Sequence, residues 1–213
     1  MDKNDRIAVV MGGPSKEREV SLNTGNAILN ALKEKGYDAV AIDLDPEHIM
    51  EQLKASGAKV VFNAVHGLYG EDGRLQSVLE MLHIPYTGSG VLASALAMDK
   101  FYTKHLFQNN HVPTAKCTFI DRNLDKDPKA KILKEIGIPC VVKPATQGSS
   151  IGVVIVKDEK QLDDALKESF KYGDRVLCEA FFTGKEVAAG VMSDEEGRAV
   201  PMPLVLIEPH VNF

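Results

Sequence analysis

Apolar positions along this 213-residue chain follow two different periods. Residues 6–11 (RIAVVM) form a continuous apolar run, the pattern of a strand covered on both faces. Val20, Ala27, Ile28, Ala31 and Leu32 then recur at helical spacing over residues 20–35, and Gly36 supplies a left-handed stop. A strand at 38–44, a helix at 46–55, a strand at 59–64 and a helix at 73–82 follow, with Asp72 placed to cap the last. Strand and helix in alternation predict a parallel sheet joined by right-handed crossovers.

The texture then changes. Thr87-Gly88-Ser89-Gly90 interrupts the alternation, and two helical stretches run on to Asn110. Strands are predicted in closer succession beyond it, at 116–120, 140–144, 152–156 and 176–180, with helices at 128–136 and 159–170. Two further strands, at 185–192 and 199–207, complete the pattern. A domain boundary near residues 87–90 separates the parallel unit from an α+β unit. The chain carries no repeats and no low-complexity segments. Phe213 follows Pro209-His210-Val211-Asn212 directly after a strand, with no polar tail, so the chain is expected to be cut there.

Composition narrows the function classes. No apolar run approaches the ~20 residues of a membrane span. The polar start, Met1 to Arg6, leads straight into a strand and carries no signal-peptide pattern. A net charge of -5 with no basic cluster argues against nucleic acid as the main partner, though a few lysines suffice for a small anion. Cys117, Cys140 and Cys178 are odd in number and far apart, which reads as buried free thiols in a reducing cytosol. With no C-x-x-C pair and no H-E-x-x-H, zinc is not expected.

Four segments could carry chemistry. Gly12-Gly13-Pro14-Ser15-Lys16-Glu17-Arg18-Glu19-Val20-Ser21 joins the first strand to the first helix, at the end of a parallel sheet where ligands bind. It is not a dinucleotide fingerprint, because the next glycine after Gly13 is Gly25. A tight turn with helix-favouring acids explains the same residues. The run from His66 to Gln76 (HGLYGEDGRLQ) holds Gly67, Gly70 and Gly73 after another strand, which means close backbone approach to a ligand or a contorted loop. His66 itself suits either orientation of a charged group or a structural role.

The third segment, Lys143 to Gly152 (KPATQGSSIG), offers backbone N–H groups, two serines and a lysine as a phosphate cradle. Gly148-Ser149-Ser150-Ile151-Gly152 also fits the G-x-S-x-G nucleophile elbow. That elbow requires a helix directly afterwards, whereas Val153-Val154-Ile155-Val156 predicts a strand and leaves His210 as the one downstream base. The fourth, Val176 to Glu186 (VLCEAFFTGKE), could hold an adenine and its ribose hydroxyls; its aromatic pair equally suits a core.

In order, these segments resemble the D-alanine–D-alanine ligase family of ATP-grasp enzymes, over essentially the whole chain. HGLYGEDGRLQ is the most specific piece and GGPSKEREVS the next; Tyr86-Thr87-Gly88-Ser89-Gly90 and Met98-Asp99-Lys100 also fit. Gln147 stands where several members carry an acid. The resemblance implies an α/β fold: an N-terminal parallel-sheet, Rossmann-like domain followed by an incomplete α+β ATP-grasp domain. The corresponding divisions are 1–88 for substrate binding, 89–183 for the central ATP-grasp subdomain and 184–213 for the start of a C-terminal subdomain.

The same resemblance implies a reaction. ATP phosphorylates the carboxylate of one D-alanine, the amine of a second attacks the acylphosphate, and phosphate leaves. Glu17 would hold the first ammonium, His66 would lie near that substrate's carboxylate, and Ser149 would orient Glu17 and the reacting groups. Lys100 and Lys143 would grip ATP phosphates under the backbone of Ser149, Ser150 and Gly152. Glu179 would take the adenine amine, Phe181 and Phe182 would line the purine, and Glu186 would bind the ribose. Mg²⁺ ligands and the second-substrate loop are expected beyond Phe213, so no metal ligand is assigned and the chain alone is expected to be inactive. D-alanyl-D-lactate and D-alanyl-D-serine ligases share these segments. A non-catalytic nucleotide-binding remnant and an unrelated flavodoxin-like binding protein are the alternatives. Small-molecule partners, a homodimer, no membrane partner and a cytoplasmic location complete the expectation.

Overall fold

The structure is a computed structural model that describes residues 2–208; His210 and Phe213 lie outside the described residues. The chain forms two compact units, divided between Ala180 and Phe181.

The first unit begins with β1 (Ile7–Met11), α1 (Arg18–Glu34), β2 (Ala39–Asp43), α2 (Ile49–Ser56), β3 (Val60–Asn63) and α3 (Arg74–Met81). Its three strands pair in parallel in the order β2-β1-β3, and a parallel bridge from Val61 to Tyr86 extends the β3 edge. All five residues of the central strand are buried, as a sheet covered on both faces demands. One cluster packs Ala8, Val10 and Val61 of the sheet with Leu53 of α2 and Leu79 of α3; another packs Val9 and Met11 with Leu29 of α1. Gly73, at φ +90°, is the N-cap of α3, and Asp72 acts from one residue earlier, accepting Arg74 N–H at 3.1 Å.

The chain continues through α4 (Val91–Met98), α5 (Lys100–Asn109), β4 (Cys117–Asp121), α6 (Pro128–Glu135), β5 (Cys140–Pro144), β6 (Val154–Val156), α7 (Leu162–Ser169) and β7 (Arg175–Ala180). These strands make a wholly antiparallel sheet in the order β4-β7-β5-β6. Ile132, Cys140, Val142, Val156, Leu162, Val176 and Cys178 share one core under α6 and α7. The other sheet face carries Cys117, Val141, Lys143 and Glu179, because successive strand residues point to opposite sides. Cys140 and Cys178 are buried, but Cys117, on this second face, is only partly covered, which corrects the expectation of three buried thiols.

The second unit holds β8 (Glu186–Ala188), β9 (Val191–Ser193), β10 (Ala199–Pro201) and β11 (Val205–Ile207). The two long strands expected here are therefore four short ones. β8 pairs with β11 and β9 with β10, both antiparallel, and the register slips by one residue between the ladders. Pro203 lies in the slip, where it can donate no ladder hydrogen bond.

Leu79 is fully buried, whereas Leu124 is 79% exposed. Leu79→Ala should lower unfolding free energy by about 2–5 kcal/mol in urea titrations, and Leu124→Ala by less than about 0.5 kcal/mol. Equal effects would show that the core is not where these clusters lie.

Candidate functional site

The loop after β1 is pinned at several points. Gly12 and Gly13 both adopt left-handed conformations, and a Cβ at Gly12 would stand 2.2 Å from Asp43 Oδ1. Arg18 forks onto Asp43 with contacts of 2.7 and 2.5 Å, tying the start of α1 to the end of β2. That hydrogen-bonded pairing with Arg18 holds the Asp43 carboxyl below its ordinary value. Ser15 Oγ donates to His66 O at 2.8 Å and accepts Glu17 N–H at 3.1 Å, which joins the first candidate segment to the second. Glu17 consequently sits at the N-cap of α1, close to the positive end of the helix.

Three loops converge there. Pro14, Lys16, Glu17, Gly67, Leu68, Met98, Gln147 and Gly148 are among the residues lining a cavity of about 240 Å³. A Cβ at Gly67 would come within 2.6 Å of Glu17 Oε2, so glycine is what admits the carboxylate against this loop. A Cβ at Gly148 would stand 3.5 Å from the same oxygen. Among the described residues the Glu17 carboxylate makes no hydrogen bond or ion pair, which leaves it available to a cation.

His66 is placed differently. Its Nε2 lies 3.3 Å from Thr24 Oγ1 and its Nδ1 lies 3.8 Å from Glu71 Oε1. It lines a separate cavity of about 390 Å³ with Thr24, Phe62, Gln76 and Ser94. Ser149 is exposed and makes no hydrogen bond to Glu17 or His66 among the described residues, so the structure brings Gly148, not Ser149, beside Glu17. Ser149 and Ser150 occupy the left-handed region at φ +51° and +58°, followed by Gly152 at +69°. The turn leads into β6 and not into a helix, so Ser150 is not on a nucleophile elbow.

Lys100 opens α5 behind Asp99, whose side chain caps the helix and pairs with Arg175 at 2.7 Å. The Lys100 ammonium donates to Gln147 O, linking α5 to the glycine loop. Burial, then the like charge of Lys143, holds that ammonium below the usual lysine value. A nearby anion would oppose that lowering by favouring the charged form. Lys143 pairs with Glu179 Oε2, and Lys104 pairs with Glu179 Oε1. Burial alone would raise the Glu179 carboxyl, but hydrogen bonds from Lys104 and Lys143 outweigh it and hold the group below its ordinary 4.5.

Lys104 is the functional candidate that sequence reasoning missed. The signal was available: it lies one helical turn after Lys100, on the same face of α5. In the second unit, Phe181 is partly covered, while Phe182 and Glu186 are exposed.

A parallel β/α unit followed by an antiparallel sheet bearing lysines is the architecture of ATP-grasp ligases. The sequence matches the family models described as D-ala D-ala ligase N-terminus over residues 6–54 and 48–89, and D-ala D-ala ligase C-terminus over residues 106–211. The chain belongs to the D-alanine–D-alanine ligase family. It is 43% identical to a D-alanine–D-alanine ligase of Moorella thermoacetica over 98% of this chain and 68% of that protein. It also resembles the solved D-alanine–D-alanine ligase of Bacillus anthracis complexed with ATP, with TM-score 0.81, 32% identity and coverage of 98% and 68%. For the VanG D-Ala:D-Ser ligase of Enterococcus faecalis the TM-score is 0.80, with 26% identity and coverage of 96% and 70%. The chain spans 61% to 68% of the length of the curated relatives it matches.

Because Glu179 is held below 4.5 in the folded chain, the unfolded chain takes up its proton first as pH falls. Its contribution is therefore full above the unfolded value and is lost as pH falls through the folded one. Glu179→Gln should cost about 3 kcal/mol at neutral pH and flatten the acid limb of stability in urea titrations. An unchanged acid limb would refute this account of Glu179.

Proposed function

We propose that the protein carrying this chain joins two D-alanines into D-alanyl-D-alanine for peptidoglycan synthesis, with ATP converted to ADP and phosphate. The observation that carries the reading is the convergence of the Glu17, Gly67 and Gly148 loops on one cavity, with Gln147 linking it to Lys100. Family membership supports the same reaction.

In this reading residues 1–88 bind substrate, 89–183 form the central ATP-grasp subdomain and 184–213 begin the next. Glu17 holds the ammonium of the first D-alanine as a charge-assisted pair, while His66 lies toward its carboxylate and Ser149 orients the reacting groups. The first carboxylate becomes an acylphosphate, the second amine attacks its carbonyl, and phosphate departs from the tetrahedral intermediate. Lys100 and Lys143, with the backbone of Ser149, Ser150 and Gly152, neutralise phosphate charge. Glu179 accepts the adenine amine, Phe181 and Phe182 cover the purine, and Glu186 accepts from the ribose.

Among the described residues no group of three or more His, Cys, Asp or Glu side chains could hold a metal ion. In this reading Mg²⁺ accompanies ATP, and no ligand to it is assigned among residues 2–208. The reading places the enzyme in the cytoplasm, where it supports cell-wall growth and cell shape. No described helix is long and apolar enough to cross a membrane.

A homodimer belongs to the same proposal. α4 (VLASALAM) is apolar along its length, yet only Ser94 is buried and Leu92 is 72% exposed. Such a helix gains stability by covering its outer face with a second copy. Leu92→Glu is expected to convert a dimer to a monomer in sedimentation velocity; a wild-type monomer refutes the assembly.

The reaction is tested with the whole gene product. ADP release should require D-alanine, with D-alanyl-D-alanine identified by mass spectrometry, and Glu17→Gln should reduce it by about tenfold or more. Preferred use of D-serine or D-lactate as second substrate would move the assignment to those ligases, a reading that the likeness to the D-Ala:D-Ser ligase keeps in view. Nucleotide binding without D-alanine-dependent turnover, unchanged by Glu17→Gln, would leave a non-catalytic nucleotide-binding protein.

A further inference from the structure

The two lysines on Glu179 are not equivalent. Lys104 is 8% exposed, and its ammonium meets three acceptors: Glu179 Oε1, Thr114 Oγ1 at 2.5 Å and Ala115 O at 3.2 Å. An ammonium has three donors, so Lys104 has none left for a ligand. Lys143 is more exposed and, among the described residues, pairs only with Glu179 Oε2. One lysine is anchored at the junction of α5, the 114–115 segment and β7, while the other can exchange its partner.

We propose that Lys104 is a positioning residue for purine recognition: it holds Glu179 through Oε1 and presents Oε2 to the exocyclic amine of an adenine nucleotide as Lys143 turns to phosphate. This inference rests on the nucleotide reading of the same sheet face. An ionised carboxylate can only accept hydrogen bonds. It therefore takes the 6-amino group of adenine and repels the 6-carbonyl of hypoxanthine. Without Lys104, Lys143 becomes the sole counter-charge of a buried carboxylate and is drawn more tightly to Oε2, where the amine should sit.

The experiment is calorimetric titration of the whole gene product with ADP and with IDP. Wild type should bind ADP about tenfold more tightly than IDP or better, since a buried acceptor penalises the mismatched purine. In Lys104→Met the preference should fall below about threefold, through weaker ADP binding with IDP little changed, and Lys104→Arg should restore most of it. A merely structural loss would weaken both nucleotides alike and leave the ratio intact, which overturns the inference. Should Lys104→Met fail to fold, Thr114→Val removes one of the lysine's acceptors and should reduce the ratio about twofold; an unchanged ratio there also overturns it. Equal binding of ADP and IDP by wild type refutes the role of Glu179 as amine reader, and Lys104's with it. Binding of neither nucleotide refutes the nucleotide reading itself.

Discussion

One buried hydroxyl holds the first sheet to its helix. Ser21 is fully buried in α1; its Oγ accepts Gly12 N–H at 2.8 Å and donates to Ala64 O at 2.7 Å. It thereby joins the segments that follow β1 and β3, whose backbone groups would otherwise be left unpaired at the strand ends. Gly25, one turn further on, lets α1 lie directly on Met11, since a Cβ there would come within 2.5 Å of the Met11 side chain. With the helix fixed at these points, Glu17 can occupy only a narrow range of positions over the end of the sheet. The Arg18–Asp43 fork closes the remaining side by binding the helix start to β2.

A second constraint acts on the antiparallel sheet, where alternation along β7 turns Cys178 to the core and Glu179 to the opposite face. A carboxylate that is 7% exposed must be paired or it will not ionise. β5 supplies Lys143, but that lysine pairs with Oε2 and leaves Oε1 unmatched. Lys104 supplies the second partner from α5, whose position depends on the Asp99 cap and the Asp99–Arg175 pair. Ion pairs such as Lys171–Glu168 and Arg198–Asp194 sit in solvent and contribute little by comparison. The charge that matters here is the one taken out of water.

The same contrast explains what could be read from the chain. Elements with a clean period were legible: β1 as an unbroken apolar run, α1 by its apolar stripe and the left-handed Gly36, and β5 and β7 by their short apolar runs. The loops that follow β1 and β3 were legible too, because a parallel sheet dictates which ends of its strands they follow. Their mutual placement was not. Nothing in local pattern states that Gly148 approaches Glu17 while His66 turns to Thr24, since both depend on contacts distant in sequence. Lys104 was legible only in part: its place one turn after Lys100 is local pattern, but its acceptors at Thr114, Ala115 and Glu179 are not. The split of the last two strands turns on a one-residue slip beside Pro203, a register property that periodicity does not encode.

The loop from Thr146 to Gly152 gathers these constraints. Two consecutive serines in the left-handed region cost of order 1–3 kcal/mol each, and such strain persists only where the surroundings over-determine it. The surroundings do so. Ser169 Oγ donates to Gly152 O at 2.7 Å, and the Tyr172 ring lies so close behind Gly152 that a Cβ would come within 2.6 Å of it. Lys16 in turn sits 4.3 Å above that ring, tying the loop's support to the segment that carries Glu17. A loop clamped from behind is also tied within itself: Ile151 N–H donates to Gly148 O at 3.1 Å and Val153 N–H to Ser150 O at 3.2 Å. The Ser169 bond and the Tyr172 ring from behind, and the Lys100 ammonium bonded to Gln147 O in front of the turn's start, are what hold the two serines in that region.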